Sequence, residues 1–340
     1  MKALFISLAS FNFCLLAIGQ SNELAPLFQD DKPISIKLSF SIKDVKKITN
    51  DSVYTATQLG YKNDQGNWDS LKADVRARGK FRRKNCSLPP IRIKLKKGDT
   101  EGTLFTGNNN LKLVLPCEST GTHNDLVVKE FLCYQLYEAI TPFIFNTRLV
   151  NVSLTDLGSR SRKTHELKGI LIEDDDLISK RFNANVVESV KLHPALLHDT
   201  SSVVQAFFEY MIANTDWSAT AQHNVKLFLL TKRKYVPIAY DFDMAGLVNA
   251  PYSTINETLE ITTVRERLYR GFCKDEAIMR YVQSEYIRLE PQIMAVVDRF
   301  KNDLGPKELV AIKKYLSEFF VILKNERAFK NNILSKCRML

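Results

Sequence analysis

Three short polar clusters within residues 207–252 carry the side chains best suited to chemistry. Asn214-Thr215-Asp216-Trp217 closes an amphipathic segment, His223-Asn224 lies in a polar loop, and Asp241-Phe242-Asp243 ends the apolar run VPIAY. If the apolar runs between them are strands, the chain returns on itself and the three clusters meet. Phosphoryl-transfer enzymes use one carboxylate to orient the attacking hydroxyl, and an amide oxygen with a second carboxylate to hold Mg2+ against nucleotide phosphates. Asp216 fits the first role. Asn224, Asp241 and Asp243 fit the cation. Each has a plainer alternative: Asp216 as a loop cap, Asn224 as a turn former. Asp241 is harder to explain that way, because a carboxylate at the end of an apolar strand is costly unless solvated, paired or bound to a cation. His223 reads as an ordinary polar residue with no catalytic role.

Upstream, Arg78, Lys80, Arg82 and Arg83 form a basic cluster able to grip phosphate oxygens, since guanidinium groups bind phosphate bidentately. Lys112 sits in the strand-like run LKLVL ahead of a helix carrying Glu130, an order that matches a strand lysine paired with a helix glutamate. A surface lysine and a surface glutamate fit the same pattern, and Lys94 competes for the role. The acidic run at residues 173–176 reads as a solvated hinge edge, or as a site that gathers a cation or a basic substrate.

The elements that must position these groups follow from periodicity. Residues 34–42, 71–78, 91–96 and 111–115 alternate apolar and polar side chains as strands do. A basic loop spans 79–90 and a turn-rich loop 98–110. Asp125 is a plausible N-cap for a helix over 126–140, and strands at 148–154 and 168–173 follow. From residue 178 the pattern turns helical, with long stretches at 203–213, 276–300 and 306–329. At 340 residues the chain exceeds what one core usually serves.

The formal charge of +10 is spread along the chain. Its denser clusters lack interleaved aromatics, which argues against a nucleic-acid partner. Lys2, an apolar run over 3–18 and the small residues Ala17 and Gly19 predict a signal peptide, residues 1–20, cleaved near Gly19 or Gln20, and so a secreted or periplasmic protein. No later segment approaches a transmembrane span. Of the remaining cysteines, Cys133 fits a buried core thiol, whereas Cys86, Cys117 and Cys273 follow turn-like segments and are better candidates for a bridge. None has metal-ligand spacing.

Several blocks resemble the spore coat protein H (CotH) kinase-like family of atypical secreted kinases. They are Arg78-Gly79 with its basic loop and IRIKLKK; LKLVLPC with DLVVKEFLCYQLYEAI; GILIEDDD; and, most specifically, EYMIANTDWSATAQHNVKLF and VPIAYDFDMAG. The resemblance spans residues 71–246. It implies an α+β, two-lobed protein-kinase-like fold, with a sheet-rich N-lobe carrying one helix over 21–177 and a mainly helical C-lobe over 178–340. It also implies ATP with Mg2+ or Mn2+, phosphoryl transfer to a hydroxyl of a protein or glycan acceptor, and Asp216 as catalytic residue. Arg78, Lys80, Arg82, Arg83, Lys112 and Glu130 would serve the nucleotide, and Asn224, Asp241 and Asp243 the metal. The chain departs from common protein kinases in three ways: Asn224 follows Asp216 by eight residues instead of five, no GxGxxG loop exists, and Asp243 stands where a DFG motif has glycine. A kinase-fold binding module without turnover, or a surface protein holding acidic polymers through its basic face, is the alternative expectation.

Overall fold

The computed structural model describes residues 24–187, 191–231 and 234–339, so the expected signal peptide lies outside the described residues. The first part of the chain runs β1 (Ile34–Phe40), α1 (Ile42–Lys47), β2 (Thr55–Lys62), β3 (Trp68–Ala77), α2 (Lys80–Asn85), β4 (Ile91–Leu95), α3 (Lys97–Thr100), β5 (Asn110–Val114), α4 (Gly121–Glu138), β6 (Thr147–Asp156) and β7 (Thr164–Ile172). Then come α5 (Asp175–Phe182), β8 (Asn185–Val187), α6 (Asp199–Met211), β9 (Val225–Thr231), β10 (Lys234–Ala239), α7 (Glu276–Asp298), α8 (Pro306–Lys324) and α9 (Glu326–Asn332).

The architecture corrects the expected fold. In place of a two-lobed, protein-kinase-like fold with a sheet-rich N-lobe, the first seven strands close as a mixed barrel in the order β1-β2-β3-β4-β5-β7-β6, and a mostly helical part follows. Closure comes from β1 pairing parallel with β6, from Ile34↔Val150 to Phe40↔Asp156. Alternation reveals which face of a strand is buried but not which strand lies beside it. A parallel partner so distant in sequence left no trace in the pattern.

Inward side chains of every strand fill the barrel, among them Ile36, Leu59, Val75, Ile93, Leu113, Val152 and Leu171. A second core gathers α4, α6, α7 and α8 around Phe207, Phe208, Phe242 and Phe319. It also takes Val114, Ile170 and Ile172 from the outer face of the barrel, where α4 lies across β7. The ends of β5 and β7 are therefore buried on both faces. Lys112, which points outward from β5, is buried for that reason, with 4% of its surface exposed.

Smaller differences have local causes. The basic loop contains α2, opened by Gly79 at φ 74°. Helix α4 begins at Gly121, so Asp125 lies inside it. The helical stretch expected over 306–329 breaks at Asn325, whose side chain caps α9 by accepting from the Ala328 amide. Cys86 pairs with Cys117 and Cys273 with Cys337, while Cys133 is a buried free thiol. Among the described residues no helix is long and apolar enough to cross a membrane.

Gly246 follows the 241–243 turn where the chain passes the backbone of Val264 and Arg265. A Cβ there would collide with the Val264 carbonyl oxygen and lie 2.9 Å from Arg265 Cα. Backbone yields less readily than a side chain tip. Gly246→Ala is expected to destabilise the fold by about 1–3 kcal/mol, the usual scale of overpacking, measured by urea unfolding.

Candidate functional site

Helix α6 ends in a motif that aims the next residues. The Asn214 amide donates to the Glu209 carbonyl at 2.8 Å and the Ala213 amide to the Tyr210 carbonyl at 3.2 Å. Ala213 takes the left-handed position at φ 51°, which makes this a Schellman C-terminus. Asn214 then accepts from the Asp216 amide through Oδ1 at 3.0 Å, and Arg270 grips the Thr215 carbonyl.

The eight-residue interval after Asp216 is a small closed loop. Ser218 and His223 exchange two backbone hydrogen bonds of 2.9 and 3.0 Å, which returns Asn224 to Asp216. Asn224 Nδ2 donates to the Asp216 carbonyl at 2.8 Å and to its Oδ2 at 3.0 Å. His223 Nε2 lies 2.8 Å from Asp216 Oδ1, and the imidazole pKa is raised, first by that hydrogen bond. Strands β9 and β10 pair from Val225↔Ala239 onward, and the Tyr240 amide donates to the Asn224 carbonyl at 3.1 Å. Asp241 therefore emerges at the same hairpin end as Asn224. Both residues are left-handed, at φ 65° and 52°, a region that Asp and Asn tolerate better than most.

Helix α4 secures the far side. Tyr134 accepts the Asp241 amide at 2.9 Å and stacks edge-on against Phe242 with centroids 4.7 Å apart. One turn earlier, Glu130 is buried at 2% exposure near Asp243 and Arg82. Burial pushes its carboxyl well above the usual range. The charges of Asp243 and Asp241 push it further, against Arg82 and Arg78. Asp243 is raised to about 7, mainly by burial and then by Asp241, while Arg82 and a hydrogen bond from Tyr252 pull it down. Arg82 approaches Asp243 Oδ2 at 3.9 Å and donates to the Leu115 carbonyl. Arg82 Nε and Nη1 and Glu130 Oε1 are buried without hydrogen-bond partners in the protein, a state that calls for an explanation such as a catalytic role or a bound water or ion.

Asp216, Asn224, Asp241, Asp243, Arg82 and Glu130 thus share one region, with half-buried Arg78 coupled electrostatically to Glu130 and Lys112. Other expectations fare differently. Lys112 does not pair with Glu130; it bonds Asp175 Oδ1 at 2.5 Å, and Lys226 holds the other carboxylate oxygen at 2.9 Å. Burial works to raise the Asp175 carboxyl, but the two lysines outweigh it and bring it down to about 2. Most of the acidic run is not a solvated edge: Glu173 is buried against Arg181 and Asn146 and Asp174 against Arg92, and only Asp176 is exposed. Arg83 turns away to the Ile48 carbonyl at 3.3 Å. Lys94 is exposed, and the Lys80 side chain lies outside the described residues.

Sequence reasoning passed over Tyr134, Tyr252 and Glu209, gave His223 no role, and took Asp175 only as part of the acidic run. Glu209 offered a signal, as an acid on the apolar stripe of a helix.

The oxygen donors suit a hard divalent cation. Asn224 commits its Nδ2 to Asp216, which leaves Oδ1 for a ligand, and Asp241 crowds Asp243 and Glu130 with negative charge that a cation would relieve. Among the described residues no group of three or more His, Cys, Asp or Glu could hold a metal alone.

Burial raises the Glu209 carboxyl to about 8, although hydrogen bonds from Asn214 and Gln205 oppose the shift. The unfolded chain releases this proton near 4.5 and the folded one near 8. Across that window the native state binds the extra proton, so stability falls as pH rises and levels off above it. Asp243 contributes with the same sign between 3.8 and about 7. Chemical denaturation across this range is expected to show a shallower decline in Glu209→Gln than in the wild type; equal slopes would place the proton elsewhere.

Compared with protein-family models and with curated proteins, the chain matches none.

Proposed function

We propose that the chain is an exported phosphotransferase that moves a phosphoryl group from ATP, with Mg2+ or Mn2+, to a hydroxyl of a protein or glycan acceptor. One observation carries the proposal: Asp216, Asn224 and Asp241 meet at one hairpin end, facing a region with Arg78, Arg82 and buried Glu130. The proposal rests on these side chains and not on a protein-kinase fold. Likeness to the CotH kinase-like family belongs to the same proposal, and the two disulfides support an oxidising compartment.

Asp216 orients the acceptor hydroxyl and takes its proton. The hydroxyl reaches Oδ1 by displacing His223, whose side chain is 58% exposed and free to yield. Asn224 holds the other carboxylate oxygen, so Asp216 keeps its direction during the exchange. Arg82 and Arg78 offer positive charge to phosphate oxygens, and Asn224 with Asp241 would hold the cation. A divalent cation bound there neutralises the nucleotide phosphates.

The test is a thermal-shift titration with ATP and each metal, followed by transfer of labelled γ-phosphate to hydroxyl acceptors. A metal-dependent rise in Tm with label on an acceptor is expected. Nucleotide binding without transfer leaves a binding module. No nucleotide shift, together with salt-sensitive binding of polyanions, would overturn the proposal.

A further inference from the structure

We propose that Glu209 is the positioning residue for Asp216, holding the 214–216 loop through Asn214; the inference rests on the reading of Asp216 as the transfer base. Glu209 is 1% exposed and grips Asn214 twice. Its carbonyl accepts the Asn214 amide at 2.8 Å, and its Oε2 accepts Asn214 Nδ2 at 2.9 Å. Asn214 passes the constraint on by accepting the Asp216 amide through Oδ1. Gln205, one turn back on α6, closes the chain at Glu209 Oε1, 3.0 Å away.

Gln205 Nε2 and Asn214 Nδ2 both donate to the carboxyl, a pattern that the ionised form accepts and the protonated form meets only with the Gln205 amide turned. Asn214 must keep Oδ1 toward the Asp216 amide, so Nδ2 faces Glu209 and Oε2 must accept. A proton on the carboxyl therefore sits on Oε1, donated to the Gln205 amide oxygen once that amide turns, an orientation set by hydrogen bonding. Among the described residues no cation is recorded bonding the Glu209 carboxylate; Arg270, whose charge acts on it, is committed to the Thr215 carbonyl. The other groups facing it are Asp216 and, from the packed helices, Cys133, Tyr137 and Tyr286. Burial pushes that thiol and both phenols up, so they stay neutral. An ionised Glu209 would add an uncompensated charge directly behind Asp216.

A glutamine at this position keeps the bond accepted from Asn214 and donates to Gln205 once that amide turns, without the titration. An alanine breaks both bonds. Three variants therefore test the inference: E209Q, E209A and N214A, the last cutting the link without emptying the Glu209 site. Two readouts are used: amide hydrogen exchange at Asp216, and kcat against KM for ATP.

E209A and N214A are expected to expose the Asp216 amide to exchange and to lower kcat by roughly 10²-fold with KM for ATP unchanged, the scale of a small misplacement at a reacting centre. E209Q is expected to recover both readouts and to lack the loss of kcat expected of the wild type as Glu209 ionises above about pH 8. Wild-type exchange and kcat in E209A and N214A would overturn the inference. So would an E209Q as impaired as E209A, which would mean the charge is needed. If the wild type transfers no phosphate, the base reading fails, and the exchange comparison alone decides whether Glu209 holds the loop.

Discussion

Asp241→Ala is expected to abolish the Mg2+-dependent rise in Tm that ATP produces. At nucleotide 100 times Kd, a ligand that binds only the folded state adds about 2.7 kcal/mol, and this is the stabilisation that should vanish. The backbone complicates the alanine variant. Asp241 sits at φ 65°, where alanine costs on the order of 1 kcal/mol or more. Asparagine tolerates that conformation and removes only the charge. Asp241→Asn should therefore fold at least as well as the wild type, because it relieves the repulsion on Asp243 and Glu130, yet bind nucleotide with little dependence on metal. A variant more stable in isolation and weaker with metal and ATP separates a ligand role from a structural one. An unchanged metal-dependent shift in both variants would remove Asp241 from the cation site.

Asp216→Asn is expected to lower transfer by roughly 10²-fold or more while leaving nucleotide binding nearly intact, the scale for loss of a positioned general base. Asparagine can still receive the Asn224 amide at its oxygen, and its backbone amide still reaches Asn214, so the loop should keep its shape. Parallel loss of ATP binding and of transfer would make Asp216 a structural residue. Gly246→Ala, by contrast, should lower stability while sparing the side chains that do the chemistry.

Part of the local structure was legible in residue order: β1 and β3 to β7 from alternation, α4, α6 and α7 from their apolar stripes, and a hairpin whose ends carry Asn224 and Asp241, whereas β2, β8 and the short helices α1, α2, α3 and α5 were not. The legible features depend on neighbours within a few dozen residues, and the period of burial writes them directly into residue order. The meeting of Asp216 with Asn224 was legible for the same reason, since the loop between them closes on its own backbone at Ser218 and His223. Tertiary structure decided the rest. Closure of the barrel depends on β1 finding β6, and a strand's alternation is the same whichever partner lies beside it. Lys112 chose Asp175 over Glu130 because the covering of β5 by the second core buried its ammonium, and a buried charge takes the carboxylate that geometry brings within reach. Arg82 turned inward and Arg83 outward from the same short helix, a difference set only by what packs against each face. Glu209 became a buried acid with a raised pKa for the same reason: a side chain's ionisation follows from the water and charge around it, and folding alone sets those surroundings.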